Sequence, residues 1–235
     1  SMGSHVMMEA MLDPTVMIGG YLPLLNAGHR VGHGDTIILE SCEYCDSFLN
    51  FFPTLAIILN VEADHLDFFK DLDDVKKSFR EFAMRVPEDG VVVANYDDEN
   101  TMDVVKDIDK KVITFGLSSD ADVYAENISF LGSTTQFDIM YKGKLFTDVT
   151  LHVPGMHNVQ NALAATAAVS KRRICGPRLS GLPPASSIAA ISSLERPLSN
   201  SADTFCSFAA FASSASTTWG SAKGNSCTIT PPAAR

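Results

Sequence analysis

Basic charge is what this sequence is short of. Its 235 residues carry 18 Lys and Arg against 28 Asp and Glu, a formal net charge of -10. A nucleic-acid binder needs a basic face, so that class is excluded. Bound nucleotide is not, because a metal ion can supply the positive charge. Long apolar runs are also missing, and so is a signal-peptide pattern; a membrane partner is not expected. Five cysteines stand without a disulfide-like spacing, which points to a reducing cytoplasm. Nowhere is there a G-x-x-x-x-G-K-[ST] phosphate loop.

What is present is unevenly spread. Residues 1–170 hold 11 Lys and Arg against 26 Asp and Glu, a net of -15; residues 171–235 hold 7 against 2, a net of +5. The break falls near Ser170-Lys171. The leading Ser1-Met2-Gly3-Ser4-His5 reads as a tag remnant, and residues 1–8 are set apart on that ground. Residues 9–170 then form one domain. Residues 171–235 contain 13 serines and two Pro-Pro pairs with no sustained period. They read either as a disordered or loosely attached tail or as the product of a shifted reading frame.

Within 9–170, strand and helix signals alternate. Thr36-Ile37-Ile38-Leu39, Leu55–Leu59, Val91–Asn95 and Lys111–Phe115 are short apolar runs of the kind buried in parallel sheets. Leu72, Val75, Phe79 and Phe82 recur at helical spacing behind the acidic first turn Asp71, Asp73, Asp74. Asn100 to Val105 reads as a short helix. Asp122–Leu131, Gln136–Tyr141 and Lys144–Val153 read as antiparallel ribbons with turns at Gly132-Ser133 and Lys142-Gly143. An Ala- and Leu-rich helix follows from about Asn158 to Ser170. The expected fold is α/β: a mainly parallel sheet with flanking helices and a small antiparallel edge.

Two loops carry the chemistry. Asn60-Val61-Glu62-Ala63-Asp64-His65-Leu66-Asp67 leaves one parallel strand, and Glu40-Ser41-Cys42-Glu43-Tyr44-Cys45-Asp46 leaves another. Ligands bind at the carboxyl ends of such strands. If the two strands are neighbours, Glu40 and His65 face one crevice. Glu40 suits Mg²⁺, which takes few protein ligands and completes its shell with water and phosphate oxygens; His65 is a less usual ligand, and a capping or core role is the alternative. Asp64 and Asp67 are open to a helix-capping role. Cys42 and Cys45 make a lone Cys-x-x-Cys, weak evidence for zinc and better read as buried thiols near a site. Gly19-Gly20 is either a turn or a close approach to a ligand. In Gly155-Met156-His157-Asn158-Val159-Gln160-Asn161, Asn158 can cap a helix, and Asn161 lies one turn further on the same face. Two such amides can read a purine edge.

Taken together, these residues resemble the Mur ligases. The resemblance rests on Leu12-Asp13-Pro14-Thr15-Val16 leading to Gly19-Gly20, on Glu40 with its loop to Asp46-Ser47-Phe48-Leu49, on Asn60 to Asp67, and on Gly155-x-His157-Asn158-x-x-Asn161-Ala162. Their order and spacing match over about residues 9–170. The family's Glu-Ala-Asp-Glu-Ser-Asp departs here to Glu40-Ser41-Cys42-Glu43-Tyr44-Cys45-Asp46. The resemblance implies the ATP-binding central domain of a three-domain enzyme of peptidoglycan synthesis. Its partners would be UDP-N-acetylmuramate and L-alanine, joined through an acyl phosphate. Carried over by position, Glu40 and His65 would be Mg²⁺ ligands, and His157, Asn158 and Asn161 would contact the adenine of ATP. Glu43 and Asp46 would lie near the reacting carboxylate, in a catalytic role. The missing phosphate loop and its lysine imply little activity from these residues alone, and an unfilled first strand implies an exposed sheet edge open to self-association. A metal-dependent phosphohydrolase using Glu40, His65 and Asp67, and a non-enzymatic nucleotide-binding module, are the competing expectations.

Overall fold

A computed structural model of the chain describes residues 1–174 and 208–213, with side chains described through residue 170. The expectations for the tail therefore lie mostly outside the described residues. A ten-stranded sheet runs in the order β2-β1-β3-β10-β4-β5-β6-β7-β8-β9. The strands are β1 Thr15–Leu22, β2 Ala27–Arg30, β3 Thr36–Glu40, β4 Leu55–Ile58, β5 Val91–Asn95, β6 Val112–Gly116, β7 Val123–Leu131, β8 Thr134–Tyr141, β9 Lys144–Leu151 and β10 Phe208–Ser213. β1 pairs β3 in parallel, and β4, β5, β6 and β7 pair in parallel one after another. The β7–β8–β9 meander is antiparallel, as the turn-bounded ribbons predict.

Period-two alternation sends the two faces of the central strands into two cores. Leu55, Ile57, Val91 and Val93 join Phe115, Val159 and Leu163 in the first. Ala56, Ile58, Val92 and Ala94 join Phe48, Val75, Phe79 and Phe82 in the second. Helix α4, Met156–Ile174, covers the first face with α1, Met2–Glu9. Within α1, Met2, Val6 and Met7 are buried. Helices α2, Leu72–Met84, and α3, Glu99–Val105, cover the second face. Asp71 caps α2, its carboxylate accepting from the Asp74 N–H at 3.0 Å; this satisfies one of the donors a helix start leaves open.

Two expectations are corrected. Gly19-Gly20 is not a turn but the interior of β1, which folds back through an antiparallel hairpin onto β2. And β3 and β4 are not neighbours. β10 lies between them, antiparallel to both: Phe211 stands opposite Ile38 on one side and Leu55 on the other. The facing edges of β3 and β4 are thus covered, and the outer edges of the sheet are β2 and β9.

Candidate functional site

The loop after β4 is shaped by its neighbours. Val61 is fully buried and works as a plug. Its N–H donates to Asp98 Oδ2 at 3.1 Å, and its carbonyl accepts from Asn100 Nδ2 at 2.8 Å. One step earlier the Leu59 carbonyl accepts from Asn95 Nδ2, also at 2.8 Å. Asp98 meanwhile caps α3 through the Thr101 N–H at 2.8 Å. Asn95, Asp98 and Asn100, none singled out from sequence, thus fix the exit of β4 from the exit of β5. Beyond that anchor the His65 N–H donates to Asp64 Oδ1 at 2.7 Å, and the His65 carbonyl accepts from Phe68 and Phe69. His65 sits at φ 53°, in the left-handed region. A non-glycine residue held there costs energy and marks a constrained site.

The loop after β3 is constrained in the same way. Tyr44–Asn50 is a short 3₁₀ segment in which Cys45 and Asp46 take φ of 54° and 53°. The Phe48 N–H closes the turn onto the Cys42 carbonyl at 3.0 Å. The Ser78 hydroxyl of α2 donates to Asp46 Oδ1. Phe48 seals the segment from below: fully buried, it packs on Phe82 and Phe79 with ring centroids 4.8 and 5.3 Å away.

These constraints bring Glu43 and His65 together. Glu43 is buried, and its Oε1 lies 3.7 Å from His65 Nε2. With Cys42 they form a set of metal-ligating groups whose donor atoms all lie within 4.8 Å of one another. Glu40 is not in that set. It is exposed at the end of β3, its carboxylate lying against Gly19, where an added Cβ would come within 3.0 Å of Oε1. Asp64 and Asp67 cap no helix: Asp64 takes the His65 N–H, and Asp67 Oδ2 accepts from the Tyr44 hydroxyl at 3.0 Å.

The Tyr44 ring also lies 4.9 Å from that of His65. The hydrogen bond to Asp67, together with the carboxylate's charge, pushes the Tyr44 phenol up to about 12. A raised pKa means that the fold favours the protonated phenol. The contribution is complete below the ordinary tyrosine pKa near 10 and is lost as pH rises through about 12. Spectrophotometric titration of Asp67→Asn should bring this tyrosine back toward the ordinary value; an unchanged high-pH transition would contradict the pairing.

Across the sheet's carboxyl end stands the start of α4. Gly155, at φ +107°, permits the turn, and the His157 imidazole folds back over it. Asn158 does not cap the helix as its position suggests. Its N–H donates to the Gly155 carbonyl, and its side-chain amide donates to the Pro154 carbonyl at 2.8 Å. His157 is exposed; Asn158 and Asn161 are half-buried. Asp97, after β5, accepts from the Leu117 N–H at 2.6 Å and from Gln160 at 3.4 Å, joining this helix to the loops of β5 and β6.

The family model of the Mur ligase middle domain matches residues 26–169. The chain belongs to the Mur ligase family. This middle domain is 44% identical over 168 residues to a UDP-N-acetylmuramate–L-alanine ligase of Caldanaerobacter subterraneus, a match covering 71% of the chain and 36% of that relative. It is 46% identical over 170 residues to the enzyme of the same name from Clostridium novyi, covering 72% and 36%. The chain therefore spans about a third of the length of the curated relatives it matches. Among solved structures, a UDP-N-acetylmuramate–alanine ligase from Thermotoga maritima aligns with a TM-score of 0.65 at 25% identity, over 82% of this chain and 41% of that one. A Neisseria meningitides UDP-N-acetylmuramate:L-alanyl-gamma-D-glutamyl-meso-diaminopimelate ligase aligns with a TM-score of 0.70 at 24% identity, over 84% and 62%, and bears on the fold alone. Among the described residues, no helix is long and apolar enough to cross a membrane.

Proposed function

We propose that this middle domain serves an ATP-dependent ligase that joins L-alanine to UDP-N-acetylmuramate in the cytoplasm. The observation that carries the reading is the agreement of the relatives: those 44% and 46% identical over this domain both bear that enzyme's name. The site geometry fits the assignment. Its acidic and amide residues gather on the loops that leave β3, β4 and β5 and at the start of α4, where open α/β sheets bind ligands.

In this reading Glu40 and His65, at the ends of strands that β10 separates, would hold Mg²⁺ as an exposed carboxylate and an imidazole, leaving most of its shell to water and phosphate oxygens. The cation would neutralise charge on the transferred phosphate. The chain's own residues position the reactants. His157, Asn158 and Asn161 present donors and acceptors to the adenine from the first turns of α4. Glu43 and Asp46 border the substrate carboxylate that receives the phosphoryl group before the amine of L-alanine displaces it. Asp46 is steadied by Ser78, and Glu43 by its approach to His65. The sequence contains no phosphate loop, so this polypeptide is without that backbone N–H cradle and its lysine.

Affinity for ATP should accordingly be weak, sub-millimolar at best, with little preference over AMP. Each remaining amide contact is worth about 0.5–1.5 kcal/mol, so Asn161→Ala should cost roughly two- to tenfold in affinity. Titration followed by nuclear magnetic resonance checks this. Micromolar ATP binding that ignores Asn161→Ala would overturn the adenine assignment.

A further inference from the structure

We propose that Cys42, Glu43 and His65 form a binding site for a borderline-soft divalent cation of the Zn²⁺ type, which shares His65 with the hard-cation pair of Glu40 and His65 but differs from it in its other donors. The three side chains come from two loops that are far apart in sequence and independently constrained. One is turned by left-handed Cys45 and Asp46, the other by left-handed His65. All three donor atoms already lie within 4.8 Å of one another, and the imidazole-to-carboxylate approach is 3.7 Å. Donor atoms around tetrahedral Zn²⁺ are about 3.3–3.6 Å apart, given bonds of about 2.0–2.3 Å, so side-chain adjustment alone closes the site.

The donor set decides the cation class. A thiolate is a poor partner for Mg²⁺ but a preferred one for Zn²⁺, and imidazole and carboxylate complete a three-ligand site with its fourth position open. Glu43 is buried, which withholds competing water. Tyr44 orders the other side, its ring 4.9 Å from His65 and its hydroxyl held by Asp67. Such outer contacts fix the orientation of a ligating imidazole. On binding, the Cys42 thiol gives its proton to solvent and its sulfur forms the metal bond, so affinity must fall with falling pH. Because His65 belongs to both sets, the soft cation would exclude the hard one; that consequence, unlike the site itself, rests on the ligase reading.

The test uses Co²⁺ and Zn²⁺ alone with the full chain, and its outcome is independent of ligase activity. Co²⁺ should give a near-ultraviolet thiolate-to-metal charge-transfer band, displaced by Zn²⁺ at one equivalent. Other thiols are controlled by a variant in which Cys45, Cys175, Cys206 and Cys227 are all serine, which should keep the band. Cys42→Ser should abolish the band, and Glu43→Gln and His65→Ala should each weaken Zn²⁺ binding by roughly a hundredfold. Circular dichroism shows whether each variant remains folded. A band that survives Cys42→Ser, or that is absent from the variant with Cys42 alone, overturns the site.

Discussion

Phe48→Ala should destabilise the domain by about 3–5 kcal/mol, a large share of the 5–15 kcal/mol that holds most domains together. Phe48 is fully buried and stacks on Phe82 at 4.8 Å while meeting Phe79 edge-on at 5.3 Å. Truncation removes the apolar transfer gain and leaves a cavity between two rings that are themselves fixed in α2. In urea the midpoint should fall by about 2 M, taking a slope near 2 kcal/mol/M. Phe130→Ala, which removes a ring that is 53% exposed, should stay within about 0.5 kcal/mol. The site should also feel the loss. Phe48 lies in the same short segment as Glu43 and Asp46 and is tied by its N–H to the Cys42 carbonyl. Its removal should weaken Zn²⁺ binding although no ligand is altered. A midpoint within error of the parent protein would contradict the proposed anchoring.

The second large effect concerns the ligase reaction. In a complete ligase carrying this middle domain, Glu40→Ala should lower kcat by roughly a hundredfold or more, the scale expected when charge stabilisation of a transferring phosphoryl group is lost. Glu40 stands at the carboxyl end of β3, exposed and lying against Gly19. Glu40→Gln keeps shape and loses charge, so it should fall almost as far. His65→Ala should also fall, and here excess Mg²⁺ should restore part of the rate if the imidazole holds the cation. Near-normal turnover of Glu40→Ala would remove it from the proposed role. Steady-state kinetics of ADP release at varied Mg²⁺ separates these outcomes.

Much of the fold was legible because its elements are buried in simple ways. β4 and β5 are covered on both faces and so read as unbroken apolar runs. α2 shows its face through Val75, Phe79 and Phe82 and its start through the Asp71 cap. β1 and β2 were hidden because Gly19-Gly20 and Ala27-Gly28-His29-Arg30 carry no alternating pattern; pairing of β1 with β3 and of β2 with β1, not propensity, makes them strands. The insertion of β10 between β3 and β4 is a long-range pairing that no local period announces. The site divides similarly. The acidic loops and the amides of α4 stood out by residue type and by their place after parallel strands. The convergence of Cys42 and Glu43 on His65 did not, because it depends on left-handed backbone at Cys45, Asp46 and His65, none of them a glycine that would have advertised it. The Asn95, Asp98 and Asn100 braces had a weaker signal: short polar residues crowded just beyond a buried strand.

The most direct test replaces only the segment of the Caldanaerobacter ligase that aligns with this chain, using residues 9–170 and keeping that ligase's own sequence on both sides, and measures ADP formation in the presence of UDP-N-acetylmuramate, ATP and Mg²⁺, with and without L-alanine. The account predicts L-alanine-dependent ADP formation that Glu40→Ala all but removes. A folded graft that releases phosphate without either co-substrate, or that forms no ADP with both present, would contradict it.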